Sequence, residues 1–87
     1  MVTKEFKITD PIGLHARPAT LIVSTANRFK SEASLHFNGK KANLKSIMNV
    51  MALGVRNNDH ITLEFSGDDE AQALEAVEKV MLDNKLV

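Results

Sequence analysis

The 87-residue chain, 44% hydrophobic, suffices for one small domain with a modest core and leaves no room for a separate cofactor-binding domain. Eleven basic residues balance eleven acidic ones, so no long-range field is available to hold a nucleic acid, and the four phenylalanines fall mostly on apolar faces. There is no cysteine, no run long enough to span a bilayer, and no basic-apolar leader in Met1-Val2-Thr3-Lys4; a cytoplasmic chain without direct membrane insertion is expected.

Val2, Lys4, Phe6 and Ile8 alternate with polar residues as in a strand with one buried face, and Asp10-Pro11-Ile12-Gly13 stops it. From Ala16 to about Phe29, the set Ala19, Ile22, Val23, Ala26 and Phe29 has helical spacing. Ala33, Leu35 and Phe37 alternate as a second strand, Asn38-Gly39 is a strong hairpin signal, and 40–43 returns as a short third strand. A short helix is expected from about Ile47 to Leu53, with Ser46 placed to cap it. Ile61, Leu63 and Phe65 form a fourth strand after the Asn57-Asn58-Asp59 turn. Gly67-Asp68-Asp69-Glu70 then opens a last helix whose acidic first turn suits the dipole and whose inner side carries Leu74, Val77 and Met81. This βαββαβα order predicts an α+β fold: an open-faced two-layer sandwich of four strands, covered on one face by three helices, over residues 1–87 as a single domain. The hairpin dictates one antiparallel pair; strand order stays open.

The run Gly13-Leu14-His15-Ala16-Arg17-Pro18 concentrates groups suited to a phosphate. Gly13 permits a tight entry, Pro18 suits a first helical turn, and His15 falls at the start of the helix. The positive end of the helix dipole favours an anion, so a neutral, nucleophilic imidazole and a stabilised phosphorylated product are expected there. Arg17 adds a charge-assisted clamp for phosphoryl oxygens. At about 100° per residue, Arg17, Thr20, Leu21 and Ser24 face away from the helix core side, and beside His15 they make a docking surface. A phosphate on a cap serine at position 46 would meet free backbone donors while adding negative charge to the surface nearby. Ile47, Met48 and Met51 could form an exposed, adaptable apolar patch, but the spacing equally allows Ile47, Val50 and Met51 as core.

The Gly13-Leu14-His15-Ala16-Arg17-Pro18-Ala19 run, followed by Asn38-Gly39-Lys40-Lys41 and Leu44-Lys45-Ser46-Ile47-Met48, resembles the HPr family, the histidine-containing phosphocarriers of the bacterial sugar phosphotransferase system, over essentially the whole chain. The resemblance implies a four-stranded antiparallel sheet under three helices. It also implies that enzyme I, phosphorylated from phosphoenolpyruvate, passes a phosphoryl group to Nδ1 of His15, which hands it to a sugar-specific enzyme IIA. The Lys45-Ser46-Ile47-Met48 form is similar to that of low-GC Gram-positive bacteria. There the matching serine is phosphorylated from ATP by HPr kinase/phosphorylase, which slows acceptance from enzyme I and promotes binding to the catabolite control protein CcpA. Partners dock around the first two helices in this family, which implies that Ile47, Met48 and Met51 face outward. Asn49 stands where many Gram-positive relatives have glycine; the phosphosite stays intact, and the difference bears on kinase or regulator recognition.

On this resemblance the chain is a carrier that does not turn over alone, needs no cofactor and requires no more than a monomer. A regulatory module resembling the Crh paralogue would lack the active-site histidine, so His15 argues against it. A small metabolic enzyme of the acylphosphatase-like kind is disfavoured by the missing Gly-rich phosphate loop: Gly39-Lys40-Lys41 has the wrong residue after its lysine, and position 34 is serine. His36 and His60 lack ligand-like spacing with His15 or each other and read as surface or strand-end residues, with no metal site expected.

Overall fold

In the computed structural model, which describes residues 1–87, the alternating segments pair into one sheet. The elements are β1 (Val2–Lys7), α1 (Ala16–Ala26), β2 (Glu32–Phe37), β3 (Lys40–Asn43), α2 (Ile47–Ala52), β4 (His60–Ser66) and α3 (Glu70–Asp83). The sheet order is β1-β4-β2-β3 and every pairing is antiparallel, so β1 and β3 are edges and β4 and β2 are central. Asn38 and Gly39, at φ 52° and 78°, turn the β2–β3 hairpin as their residue types demand.

The period-two pattern delivers Phe6, Ala33, Leu35, Ile61, Leu63 and Phe65 to one face, where Ile22 and Ala26 of α1, Val50 of α2 and Val77 and Met81 of α3 meet them in one core. Lys4 interrupts the apolar side of β1 without being buried. Its ammonium lies 5.6 Å from the Phe6 ring centroid and pairs with Glu78 of α3, so its stem covers the edge of the core while its charge stays wet. The other sheet face is polar: His36 of β2 meets Glu64 of β4 there, Nε2 to Oε1 at 2.9 Å, and His60 lies exposed at the start of β4.

Helix α1 stops at Ala26, three residues short of the expectation. The Asn27 side-chain amide donates to the Val23 carbonyl (2.9 Å) and the Lys45 carbonyl (3.1 Å), and the Lys45 ammonium donates to the Phe29 carbonyl (2.8 Å). Beyond Ala26 the N–H groups of Arg28 and Phe29 turn to carbonyls three residues back, those of Thr25 (3.1 Å) and Ala26 (3.2 Å), the Phe29 carbonyl is taken by Lys45, and Phe29 packs half-buried beside the core.

Asp69, in the acidic opening of α3, also makes a contact distant in sequence. Although it is the N-cap of α3, its side chain caps nothing; it accepts instead from the backbone N–H groups of Lys30 and Ser31 (2.9 Å each) and from the buried Ser31 hydroxyl, clamping the α1–β2 turn to the start of α3. The Ser31 hydroxyl first, and the Lys30 amide next, hold the Asp69 carboxyl below its ordinary 3.8, and the N-terminal ammonium, 2.8 Å from Glu70, holds that carboxyl below 4.5. Since both are depressed in the folded state, the unfolded chain takes up protons first as the pH falls. The stabilisation is present in full only well above the ordinary value of 4.5 and drains away as the pH drops toward and through the folded-state values. The urea midpoint is therefore expected to be level from pH 7 to about 5 and to fall below that. Asp69→Asn should lower the neutral midpoint and shallow the acid fall, and an unchanged acid profile in that variant would contradict the clamp.

Candidate functional site

The chain leaves β1 through a rigid loop. The Asp10 side chain accepts from the N–H groups of Ile12 (2.9 Å) and Gly13 (3.2 Å), an Asx turn that an Asp before Pro is suited to make. Asn57, from the turn before β4, donates to the carbonyls of Thr9 (3.1 Å) and Asp10 (3.2 Å). Gly13 sits at φ 88° against the next loop: a Cβ there would lie 2.4 Å from the Val55 carbonyl oxygen and 2.6 Å from the Arg56 Cα. That close approach lets the buried Leu14 donate its N–H to the Val55 carbonyl (3.1 Å), and Leu14 then fills the core beneath the site.

His15 emerges next as the N-cap of α1, with extended backbone (φ −85°, ψ −171°) and a side chain that makes no cap hydrogen bond. The His15 carbonyl accepts from Ala19 (3.0 Å), while the N–H groups of Ala16 and Arg17 have no backbone or side-chain acceptor, as the first turn of a helix requires. Pro18, buried at the third helical position, has no N–H to satisfy. The imidazole is 36% exposed, with Nε2 3.9 Å from Asp10 Oδ1. Arg17 is exposed and takes part in none of the five ion pairs, so its guanidinium is free for an anion from outside. His15, Arg17, Asp10, Ile12, Leu21 and Leu86 line a shallow cleft of about 400 Å³. A second cleft, about 480 Å³, runs between β2 and β3 among Glu32, Ser34, Lys41 and Lys45, and brings together no imidazole and no helix start. An imidazole nucleophile, two free amides and a free guanidinium at the positive end of an eleven-residue helix can receive a phosphoryl group and balance its charge.

The remaining candidate residues fall on adjoining ground. Thr20 and Ser24 are exposed and Leu21 is half-buried along the outer side of α1, although the Thr20 hydroxyl is occupied in donating to the Ala16 carbonyl (2.7 Å). In α2 the open choice resolves by packing: Val50 is wholly buried, while Ile47, Met48 and Met51 are 38%, 83% and 42% exposed. Ser46 caps α2 as expected, its Oγ accepting from the Asn49 backbone N–H (3.2 Å) and side-chain amide (2.8 Å). The Asn27–Lys45 bond sets Ser46 near the far end of α1 from His15. Asp10 is the residue of the site that the sequence marks only as part of a strand stop; its Asp-Pro step with Gly three residues on is the local signal of an Asx turn.

Residues 2–83 match the family model for the PTS HPr component phosphorylation site. The chain belongs to the HPr family. It is 46% identical over 81 residues to the phosphocarrier protein HPr of Mycoplasma pneumoniae, 92% of each chain being covered. Its structure superimposes on that of a Mycoplasma histidine-containing phosphocarrier protein with a TM-score of 0.97 at 41% identity, covering 99% and 98% of the two chains. Crh, the Bacillus subtilis catabolite repression protein, matches with a TM-score of 0.75 at 42% identity over 95% of each chain, as a dimer with a swapped domain. The open-faced fold expected from the resemblance is the fold found, and an HPr-type phosphocarrier of the phosphotransferase system is the identity these likenesses support.

Proposed function

We propose that this chain is a cytoplasmic carrier that accepts a phosphoryl group on His15 from phosphorylated enzyme I and delivers it to enzyme IIA proteins during sugar uptake. The observation that carries this reading is the meeting of a half-exposed His15 with the free N–H groups of Ala16 and Arg17 and an unpaired Arg17 guanidinium. In each transfer the incoming nucleophile forms one bond to phosphorus as the donor's bond breaks with its electron pair; nothing is oxidised or reduced. Such a step needs positioning and charge balance more than further reactive groups, so partners that dock at the cleft can supply what this chain lacks, and the chain itself is a phosphorylated intermediate without turnover of its own. Thr20, Leu21, Ser24, Ile47, Met48 and Met51 are the docking residues. Incubation with phosphoenolpyruvate and enzyme I should yield a phosphate labile to acid and stable to base. Absence of label, or label that persists in His15→Ala, would sink the reading.

Ser46 is the regulatory site, phosphorylated from ATP by HPr kinase/phosphorylase, with CcpA as the reader of the modified surface. Eleven helical residues span about 16 Å, beyond the ~8 Å Debye length at physiological salt, so a phosphate near the opposite end of α1 acts little on His15 directly. It acts by adding close to two negative charges beside the apolar patch of Ile47, Met48 and Met51, where enzyme I docks. The expected result is an acid-stable phosphate from ATP and the kinase that disappears in Ser46→Ala. In the phosphorylated chain the KM for enzyme I transfer should rise much more than kcat falls; an effect on kcat alone would contradict this account.

A monomer suffices for these steps. The swapped dimer of the Bacillus relative favours a dimer as the second state, and sizing in solution distinguishes the two.

A further inference from the structure

We infer that Asp10 is a positioning residue for His15: its carboxylate fixes the imidazole proton on Nε2 and thereby leaves the lone pair on Nδ1, where the phosphoryl group must land. The inference rests on the carrier reading for its purpose but not for its geometry. Asp10 Oδ1 is 3.9 Å from His15 Nε2 and is itself held by the N–H groups of Ile12 and Gly13. The Asp10 main chain is held in turn, its carbonyl accepting from Gly13 N–H (3.1 Å) and from the Asn57 side chain (3.2 Å). With its side chain only 19% exposed, the carboxylate is anchored at both ends and cannot move away from the ring without breaking the Asx turn.

An ionised carboxylate only accepts hydrogen bonds. Facing Nε2, it attracts an N–H there and repels a lone pair, and the tautomer of a histidine is set by the partner of one of its nitrogens. Asp10 and Arg17 are the charged side chains lining the cleft with His15. Arg17 only donates, so it offers no acceptor to a proton on Nδ1 and suits a ring lone pair or a phosphoryl oxygen instead. As the Nδ1 lone pair forms the N–P bond and the donor's bond to phosphorus breaks, the ring becomes cationic with its proton still on Nε2. Asp10 then faces that developing charge. On delivery, the N–P electron pair returns to Nδ1, and no proton has to leave the ring in either direction.

Asp10→Asn separates this role from turn-making, because asparagine keeps an acceptor oxygen for the Ile12 and Gly13 amides while losing the charge. The ¹⁵N shifts of the neutral His15 ring, read by NMR on the unphosphorylated chain, should show the Nε2–H tautomer dominant. In Asp10→Asn the ratio should move toward Nδ1–H by about three- to tenfold, the range for a partly screened charge at this distance. The rate constant for acceptance from enzyme I should fall by a similar factor with KM and thermal stability unchanged, and Asp10→Glu should recover part of both effects. Unaltered tautomer ratios in Asp10→Asn, or a loss of rate that only follows a loss of stability, overturn the inference. A wild-type chain that takes no phosphoryl group would overturn the carrier reading, while the ¹⁵N ratios would still decide the role of Asp10.

Discussion

Gly13→Ala is expected to be severely destabilising although it adds a single methyl group. The residue sits at φ 88°, where an L side chain costs about 1–2 kcal/mol, and its Cβ would come within 2.4 Å of the Val55 carbonyl oxygen and 2.6 Å of the Arg56 Cα. Both obstacles are backbone, so two loops have to separate, and the Leu14–Val55 hydrogen bond is lost in the process. A total of about 3 kcal/mol or more follows, which for a domain of this size lowers Tm by roughly 12–25 °C. Gly39→Ala supplies the comparison: φ is 78° there, but nothing lies within 4 Å of the added atom, so only the conformational cost of about 1 kcal/mol applies. Molecules of Gly13→Ala that remain folded at low temperature should still transfer about 100-fold more slowly, since His15 is two residues beyond the displaced glycine and small misplacements of a reacting group are costly. Equal Tm losses in the two alanine variants would show that the close approach to Val55 is unimportant.

Arg17→Ala should have the opposite profile, a large loss of transfer with almost no loss of stability. Arg17 is exposed and unpaired, so its removal breaks no hydrogen bond or ion pair and should change stability by no more than about 0.5 kcal/mol. On the proposed carrier function, its work begins only when a phosphoryl group reaches His15. Two backbone N–H groups then face three charged oxygens, and the guanidinium supplies the balancing charge. Loss of one preorganised donor at such a site is worth about 100-fold in rate. Arg17→Lys should recover only part of it, because a point charge cannot match two oxygens at once. Rapid-quench measurement of acceptance from enzyme I, alongside urea unfolding of the same variants, checks both halves. Wild-type acceptance in Arg17→Ala would remove Arg17 from the site.

The features legible in the sequence were those governed by neighbours close in the chain. Period-two alternation located three strands, Asn38-Gly39 marked the hairpin that returns as the remaining one, and Ser46 announced the cap of α2, since each depends on a few consecutive residues. The early stop of α1 was hidden because it depends on Lys45 and Asp69, both far along the chain, and strand order was hidden for the same reason. In α2, six residues with apolar groups on every side have no pattern that distinguishes Val50 from Met48; only packing against the sheet decides, burying the first and leaving the second 83% exposed. At the site, the helix start and its free donors could be foreseen from Gly13 to Pro18. The proximity of Asp10 to His15 could not, because it follows from how the Asx turn folds back over Gly13.

Whether His15 holds its phosphoryl group in transit is tested most directly by a single-turnover chase. The chain is loaded from labelled phosphoenolpyruvate with enzyme I, freed of enzyme I, and mixed with a purified enzyme IIA. The acid-labile label is expected to leave His15 and appear on enzyme IIA in equal amount, returning the chain ready for reloading. Label that stays on the chain, or that leaves only as inorganic phosphate, would contradict transit on His15.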